Sequence, residues 1–436
     1  MVSEVLGKDA DMNEYAIELA TSNIRFGPGV TRELGMDLAG NGLRRAMVLT
    51  DANLARLKPV AAALESLQES GVEFDLYDRV RVEPTDASFK EAIAFAQAND
   101  YDCFVAVGGG SVIDTAKAAN LYSSYPPEDF LDYVNPPIGK GIPVPGPLKP
   151  LYAVPTTSGT GSETTGVAIF DLVEMKAKTG IAHRRLKPTL GLLDPEHTRT
   201  MPREVVVATG LDVLSHAIES FTAIPYESRP RPENPLVRPA YQGSNPISDV
   251  WSLESLRMVN RYLERAATDA DDEDARGKML LAAAYAGVGF GNAGCHLPHG
   301  MSYPVSGLVR GYQAPGYEVD KAFVPHGVSV ILNAPAVFRF TASASPERHL
   351  QAAEALGAKT DGVAAEDAGK VLSERIVWFM ERLDVPNGLR AVGYGTEDIP
   401  ALVAGTMPQH RVTKLSPKYA EEDDLAALFE DALDAW

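Results

Sequence analysis

The sequence has little cysteine: two in 436 residues, Cys103 and Cys295, far apart and neither in a CxxC pair. A disulfide framework is thereby excluded, and the usage suits a reducing compartment. Basic charge is also short. Forty Lys and Arg face fifty-nine Asp and Glu, giving a net charge of −19. Nonspecific contact with nucleic acid or an anionic membrane would oppose that field, so neither partner is expected. Long apolar runs are missing too: the longest uncharged one, Met279 to Gly291, is short and Gly-rich, whereas a bilayer span needs roughly 20 residues. The N-terminal MVSEVLGKDADMNEYAIEL is acidic, without a basic start or an apolar segment. It does not read as a secretory or mitochondrial address, and a cytoplasmic location is expected.

What is present is ordinary globular composition, 45% hydrophobic and 23% charged, at a length that suggests two to three domains. From Arg44 to about Asp194 short β-rich runs alternate with helical stretches: AMVLT (46–50), a helix over 53–70, FDLY (74–77), a helix over 88–99, and CFVAV (103–107). That alternation predicts βαβ units on a parallel sheet. After DPEHTRTMP the pattern turns helical, over 204–221, 250–267, 274–290, 328–340, 346–356, 368–383 and 423–435. The expected fold is an α/β N-terminal dinucleotide-binding domain (residues 1–199) followed by an all-α metal-binding and substrate domain (200–436). Pro-rich stretches at 135–150 and 224–246, and the segment 307–325, read as ordered loops.

Gly108, Gly109, Gly110 and Ser111 stand between a buried strand and a helix. Glycines there let a phosphate approach the unpaired N–H groups of the helix start, although the run is not GxGxxG. A second strand ends in Thr156, Thr157, Ser158, Gly159, Thr160, Gly161 and Ser162, small donors suited to a pyrophosphate or ribose. Asp51 follows AMVLT directly. At the end of an early strand it can accept both adenosine ribose hydroxyls and repel a 2′-phosphate, which favours NAD over NADP. It can equally cap the following helix.

Only eight histidines are present. Asp212 and His216 stand four apart on one helix face and can chelate an ion. His296, His299 and His326 follow in GNAGCHLPHGMSYP and FVPHGVSV. Three imidazoles with one carboxylate suit Fe(II), or Zn(II), and leave a position for an alcohol or carbonyl oxygen.

GGGS-x-x-D-x-x-K (108–117), PTTSGTGSE (155–163), Asp212-x-x-x-His216, HGM (299–301) and PHG (325–327) together resemble the iron-containing alcohol dehydrogenase family. SNIRFGPGVTRELGMDL, RPAYQGSNPISD and GFGNAGCHLPHGMSYPVSGLV look like its hydroxyacid-oxoacid transhydrogenase subgroup, with similarity to about residue 355. The resemblance implies Asp212, His216, His299 and His326 as metal ligands, leaves His296 outside, and adds Asp114 to the cofactor-binding set. The wider family carries a proton-transferring histidine four residues after the HGM histidine, where this chain has Tyr303. A phenol is the poorer relay at neutral pH. The implied reaction moves hydride from 4-hydroxybutyrate through bound NAD to 2-oxoglutarate, giving succinate semialdehyde and 2-hydroxyglutarate. The alternative is a dehydrogenase whose NAD exchanges at each turnover. A homo-oligomer is expected. Both substrates are anions, and Arg229, Arg231, Arg238 and Arg310 of the unusual loops are candidates to meet them.

Overall fold

The computed structural model describes residues 13–175, 177–317, 319 and 322–436. Most of the N-terminal stretch read for an address, and residues 318, 320 and 321 of the third loop, lie outside these.

The strands are β1 (Asn23–Phe26), β2 (Arg45–Asp51), β3 (Glu73–Val80), β4 (Cys103–Gly108), β5 (Leu151–Pro155), β6 (Val167–Leu172), β7 (Ala177–Ala182) and β8 (Leu190–Leu193). Six form one parallel sheet in the order β1-β8-β5-β4-β2-β3. The connecting helices are α1 (Leu34–Gly40), α2 (Lys58–Glu69), α3 (Asp86–Gln97) and α4 (Gly110–Ser124). β2 and β4 are buried along nearly their whole length, as strands covered on both faces must be. Ala46, Val48, Val105 and Val107 pack against α2, and Met47, Leu49, Phe104 and Ala106 against α3 and α4. The chain runs outward from β2 to β3 and then returns past β2 to β4. The loops after β2 and β4 therefore flank the point where strand order reverses, the usual ligand crevice of such sheets.

The remaining helices are α5 (Arg203–Thr222), α6 (Pro246–Thr268), α7 (Glu273–Ala293), α8 (Leu297–Gly307), α9 (His326–Ile331), α10 (Ala334–Thr341), α11 (Pro346–Ala355), α12 (Ala368–Arg382), α13 (Ile399–Thr406), α14 (His410–Thr413) and α15 (Glu422–Asp431). α5 is apolar and long enough to cross a membrane by composition, but 89% of its most apolar window is buried inside the fold. Its all-round apolarity is that of a central core helix.

Four details differ from the sequence expectation. The helix expected over 53–70 starts at Lys58, because Leu57 is extended and Pro59 favours a new first turn. The single helix over 328–340 is two, with Pro335 opening the second. β1 forms upstream of the expected sheet by pairing with β8, a partner far away in sequence. β6 and β7 make an antiparallel ribbon apart from the parallel sheet, and it closes one side of the cavity described next.

Candidate active site

A cavity opens between the sheet and the helical half. Gly110, Ser111, Asp114, Thr160 and Ser162 line one end, and Asp212, His216, His299, His326 and Tyr303 the other.

At the helical end, α5 presents Asp212 and His216 one turn apart, α8 presents His299 in its first turn, and His326 opens α9. Asp212 Oδ1 lies 3.7 Å from His216 Nδ1, 3.5 Å from His299 Nε2 and 3.8 Å from His326 Nε2. A Cβ on Gly327 would stand 1.9 Å from the Ala208 carbonyl, so only glycine lets α9 approach α5 this closely. Asp212 Oδ1, His216 Nδ1 and His299 Nε2 are buried without a hydrogen-bond partner. Orphaned donor atoms converging at these distances fit a divalent metal, and one carboxylate with three imidazoles is a suitable donor set for iron or zinc.

The electrostatics of Asp212, His216 and His326 suit a bound cation. Burial alone would raise the Asp212 carboxyl, but His216, His326 and His299 hold it well below the usual carboxylate range. Burial pushes His216 down to about 3 and also lowers His326, keeping both rings neutral and able to donate a lone pair. Burial acts against charge on His299 as well, yet Glu219, Cys295 and Asp212 raise its pKa well above the ordinary value. Glu219 is fully buried, and its Oε1 lies 2.6 Å from His299 Nδ1. This carboxylate was not anticipated, although Asp212, His216 and Glu219 follow the i, i+4, i+7 spacing of one helix face. Cys295 also borders the cluster, where burial pushes its thiol up to about 11. His296 sits apart, its Nε2 3.0 Å from Thr222 Oγ1 and its ring against Phe338.

At the sheet end, α4 begins at Gly110 with no side-chain cap. A Cβ on Gly110 would stand 2.6 Å from the Thr160 side chain, and one on Gly109 3.2 Å from Thr157, so the two loops make a narrow cradle. Uncapped N–H groups beside small hydroxyl residues fit a pyrophosphate. Thr156 is buried, and its N–H donates to the Gly108 carbonyl at 3.1 Å. Asp114 and Ser162 have their polar atoms engaged by the protein. Asp114 accepts from the Ser162 hydroxyl, from Lys117 Nζ at 3.3 Å and from the Ile169 N–H at 2.9 Å. Lys117 in turn donates to Ser162 Oγ and to the Val167 carbonyl, each at 2.7 Å. Asp51 ends β2, and its Oδ1 accepts the N–H groups of Asn53 at 2.9 Å and Leu54 at 3.0 Å.

None of the four expected arginines lines this cavity. Arg238 pairs with Glu14 at 2.9 Å, Arg310 with Asp398 at 2.7 Å, Arg229 donates to the Tyr241 carbonyl, and Arg231 lies over the Tyr15 ring. Loop arginines satisfied by local partners have no reason to reach the site. Among the described residues, the Lys and Arg side chains that do line it are Lys178 and Arg411. Lys178, on β7, pairs with Glu83 and, at 3.1 Å, with Asp171. Arg411, on α14, donates to the Tyr303 hydroxyl at 2.8 Å. Burial disfavours its charge, but the hydroxyls of Tyr303 and Tyr241 hold its pKa above the ordinary value.

Comparison with known proteins accords with this geometry. The chain is 62% identical over 421 residues to "Hydroxyacid-oxoacid transhydrogenase, mitochondrial" of Xenopus tropicalis, covering 96% of this chain and 91% of that one. It is 59% identical over 429 residues to the Homo sapiens protein of the same name, covering 98% and 92%. Among solved structures, a 1,3-propanediol oxidoreductase (TM-score 0.83, 26% identity, 96% of this chain and 100% of that one) and an alcohol dehydrogenase from Oenococcus oeni (0.83, 27%, 96% and 100%) share the fold. The names of the curated relatives point to the mitochondrion, which overturns the cytoplasmic expectation. That expectation rests on the acidic composition of residues 1–19 and on cysteine usage, which suits any reducing compartment and does not single out the cytoplasm. The profile "Iron-containing alcohol dehydrogenase" matches residues 21–195 and "Fe-containing alcohol dehydrogenase family, C-terminal" residues 240–433, and the chain belongs to the iron-containing alcohol dehydrogenase family.

Proposed function

We propose that the chain is a hydroxyacid-oxoacid transhydrogenase using NAD and a divalent metal, iron by preference and zinc as the alternative. Its substrate pair is 4-hydroxybutyrate and 2-oxoglutarate, converted to succinate semialdehyde and 2-hydroxyglutarate. The observation that carries this reading is the meeting, in one cavity, of the uncapped start of α4 with the Asp212, His216, His299 and His326 cluster. The names shared by relatives of about 60% identity support the substrate class.

Asp212, His216, His299 and His326 would hold the metal; Gly108 to Ser111, Thr156, Thr157 and Thr160 would cradle the dinucleotide. When bound, the metal polarises the substrate oxygen and the nicotinamide accepts and returns the hydride. Glu219 fixes the His299 ring so that Nε2 faces Asp212. Asp114, Ser162 and Lys117 tie α4 to the 158–165 loop and keep the two walls in register. Tyr303 lines the cavity and accepts the Arg411 N–H on its hydroxyl oxygen, which fixes the position of that hydroxyl. We place the boundary between the NAD-binding and metal-binding halves at residues 199 and 200.

The deciding experiment follows deuterium from C4-labelled 4-hydroxybutyrate, with catalytic NAD and unlabelled 2-oxoglutarate. Label appearing in 2-hydroxyglutarate, undiluted by excess unlabelled NADH, is the expected result. Dilution, with steady NADH release in the absence of an oxoacid, favours an ordinary dehydrogenase.

A further inference from the structure

Carboxylate substrates need a cation in a protein of net charge −19. Of the two Lys and Arg side chains that line the cavity among the described residues, Lys178 is already neutralised by Glu83 and Asp171. Arg411 is not. Its Nη2 donates to the Tyr303 hydroxyl and its guanidinium lies 5.1 Å from the Tyr241 ring centroid, both neutral partners. Its Nη1 is buried with no hydrogen-bond partner, and among the described residues no carboxylate pairs with it. A guanidinium is always charged; Arg411 is part-buried overall, but its Nη1 is shut off from solvent without a counterion, which is costly to keep. That cost is recovered when an anion binds.

The position suits a substrate as well as the charge does. Tyr303 stands four residues after His299, about 6 Å along α8, and Arg411 meets its hydroxyl in the same cavity as the metal cluster. In 4-hydroxybutyrate the carboxylate carbon is three carbon–carbon bonds from the carbinol carbon. In 2-oxoglutarate the distal carboxylate is the same three bonds from the ketone carbon. The other carboxylate of the oxoacid is bonded directly to the reacting carbon and cannot reach the same point. One fixed cation can therefore serve both half-reactions.

We infer that Arg411 is the specificity-determining residue whose unpartnered Nη1 pairs with the distal carboxylate shared by the hydroxyacid and the oxoacid. The inference rests on the proposed substrate class, and it explains how a metal site able to act on plain alcohols selects acids. On its other side Arg411 borders an open cleft with Arg229 and Lys414. An anion held there would not compete with substrate, which the test below resolves.

The test uses metal- and NAD-loaded enzyme, wild type and Arg411→Gln, with 4-hydroxybutyrate and its uncharged counterpart butane-1,4-diol. The ratio of kcat/KM for acid to diol is expected to fall at least about fifty-fold, the scale of losing one partner of a buried charge pair. Glutarate is expected to compete with the diol in wild type and to lose affinity by a similar factor in the variant. If Arg411→Gln does not fold, Arg411→Lys decides: it keeps the charge but loses the planar fork, and glutarate affinity should drop several-fold. Equal losses for acid and diol, unchanged glutarate affinity in a folded variant, or noncompetitive glutarate binding each overturn the inference. Glutarate affinity is also read directly by calorimetry, so failure of the transhydrogenase reading leaves this result standing on its own.

Discussion

Glu219 uses both carboxylate oxygens inside the helical core: Oε1 lies 2.6 Å from His299 Nδ1, and Oε2 accepts the His296 backbone N–H at 2.6 Å. One side chain thus orients a proposed metal ligand and fixes the start of the helix that carries it. Burial opposes its charge, but His299 beside it holds its carboxyl below the usual range. An amide there could satisfy only one of the two donors and would turn its NH2 against the other. Glu219→Gln should therefore lower metal affinity by about 10- to 100-fold. Metal content after dialysis against a graded chelator measures this, and retention equal to wild type would remove Glu219 from the metal site.

His299→Ala and His326→Ala each delete one of the four proposed donors and are expected to abolish metal-dependent turnover. His296→Ala should leave metal content near wild type. It should instead lower the melting temperature, because it opens a cavity against Phe338 and removes the His296 contact of the Thr222 hydroxyl, which keeps only its bond to the Ile218 carbonyl. Equal metal loss from His296→Ala and His299→Ala would contradict the placement of His296 outside the cluster.

Much of this arrangement is legible in the sequence wherever burial imposes a period. AMVLT and CFVAV are continuous apolar runs because β2 and β4 are covered on both faces. Asp212 and His216 are legible because helical spacing puts them on one face, and the same rule extends to Glu219. Asp114 and Ser162 line the cavity as expected of cofactor-binding candidates, but their bonds to Lys117, to each other and to the β6 backbone join segments far apart in sequence and have no local spacing to announce them. Arg411 carries no signal at all. It lies in a four-residue helix beyond the recognisable motifs, and its surroundings come from Tyr303 and Tyr241, more than a hundred residues away.

A pH-dependent contribution to stability is built into Glu163. This residue is 2% exposed, its Oε1 has no hydrogen-bond partner, and burial raises its pKa from 4.5 to about 7. A carboxyl raised on folding favours the native state when protonated. Its contribution is complete below about 4.5 and is lost as pH rises through about 7. Glu163→Gln is neutral throughout, so its stability relative to wild type should grow between pH 5 and pH 8.5, by on the order of 3 kcal/mol. Melting curves across that range provide the check; a constant difference would mean that Glu163 does not titrate there.

Asp51 combines two roles that substitution can separate. Its Oδ1 caps the short turn at Asn53 and Leu54, while its place at the end of β2, beside the β4 loop across the strand-order reversal, puts its charge next to the proposed dinucleotide crevice. Asp51→Asn keeps an oxygen for the turn and removes the charge. Asp51→Gly removes both. If the carboxylate receives the adenosine ribose hydroxyls, both variants should raise the ratio of NADP to NAD affinity at least about tenfold, corresponding to roughly 1.4 kcal/mol. Only the glycine variant should also lower the melting temperature, through loss of the cap and a freer unfolded chain. Cofactor titrations of the two proteins distinguish the roles. An unchanged ratio in Asp51→Asn, with destabilisation confined to Asp51→Gly, would reduce Asp51 to a turn cap and leave discrimination against the 2′-phosphate to another residue.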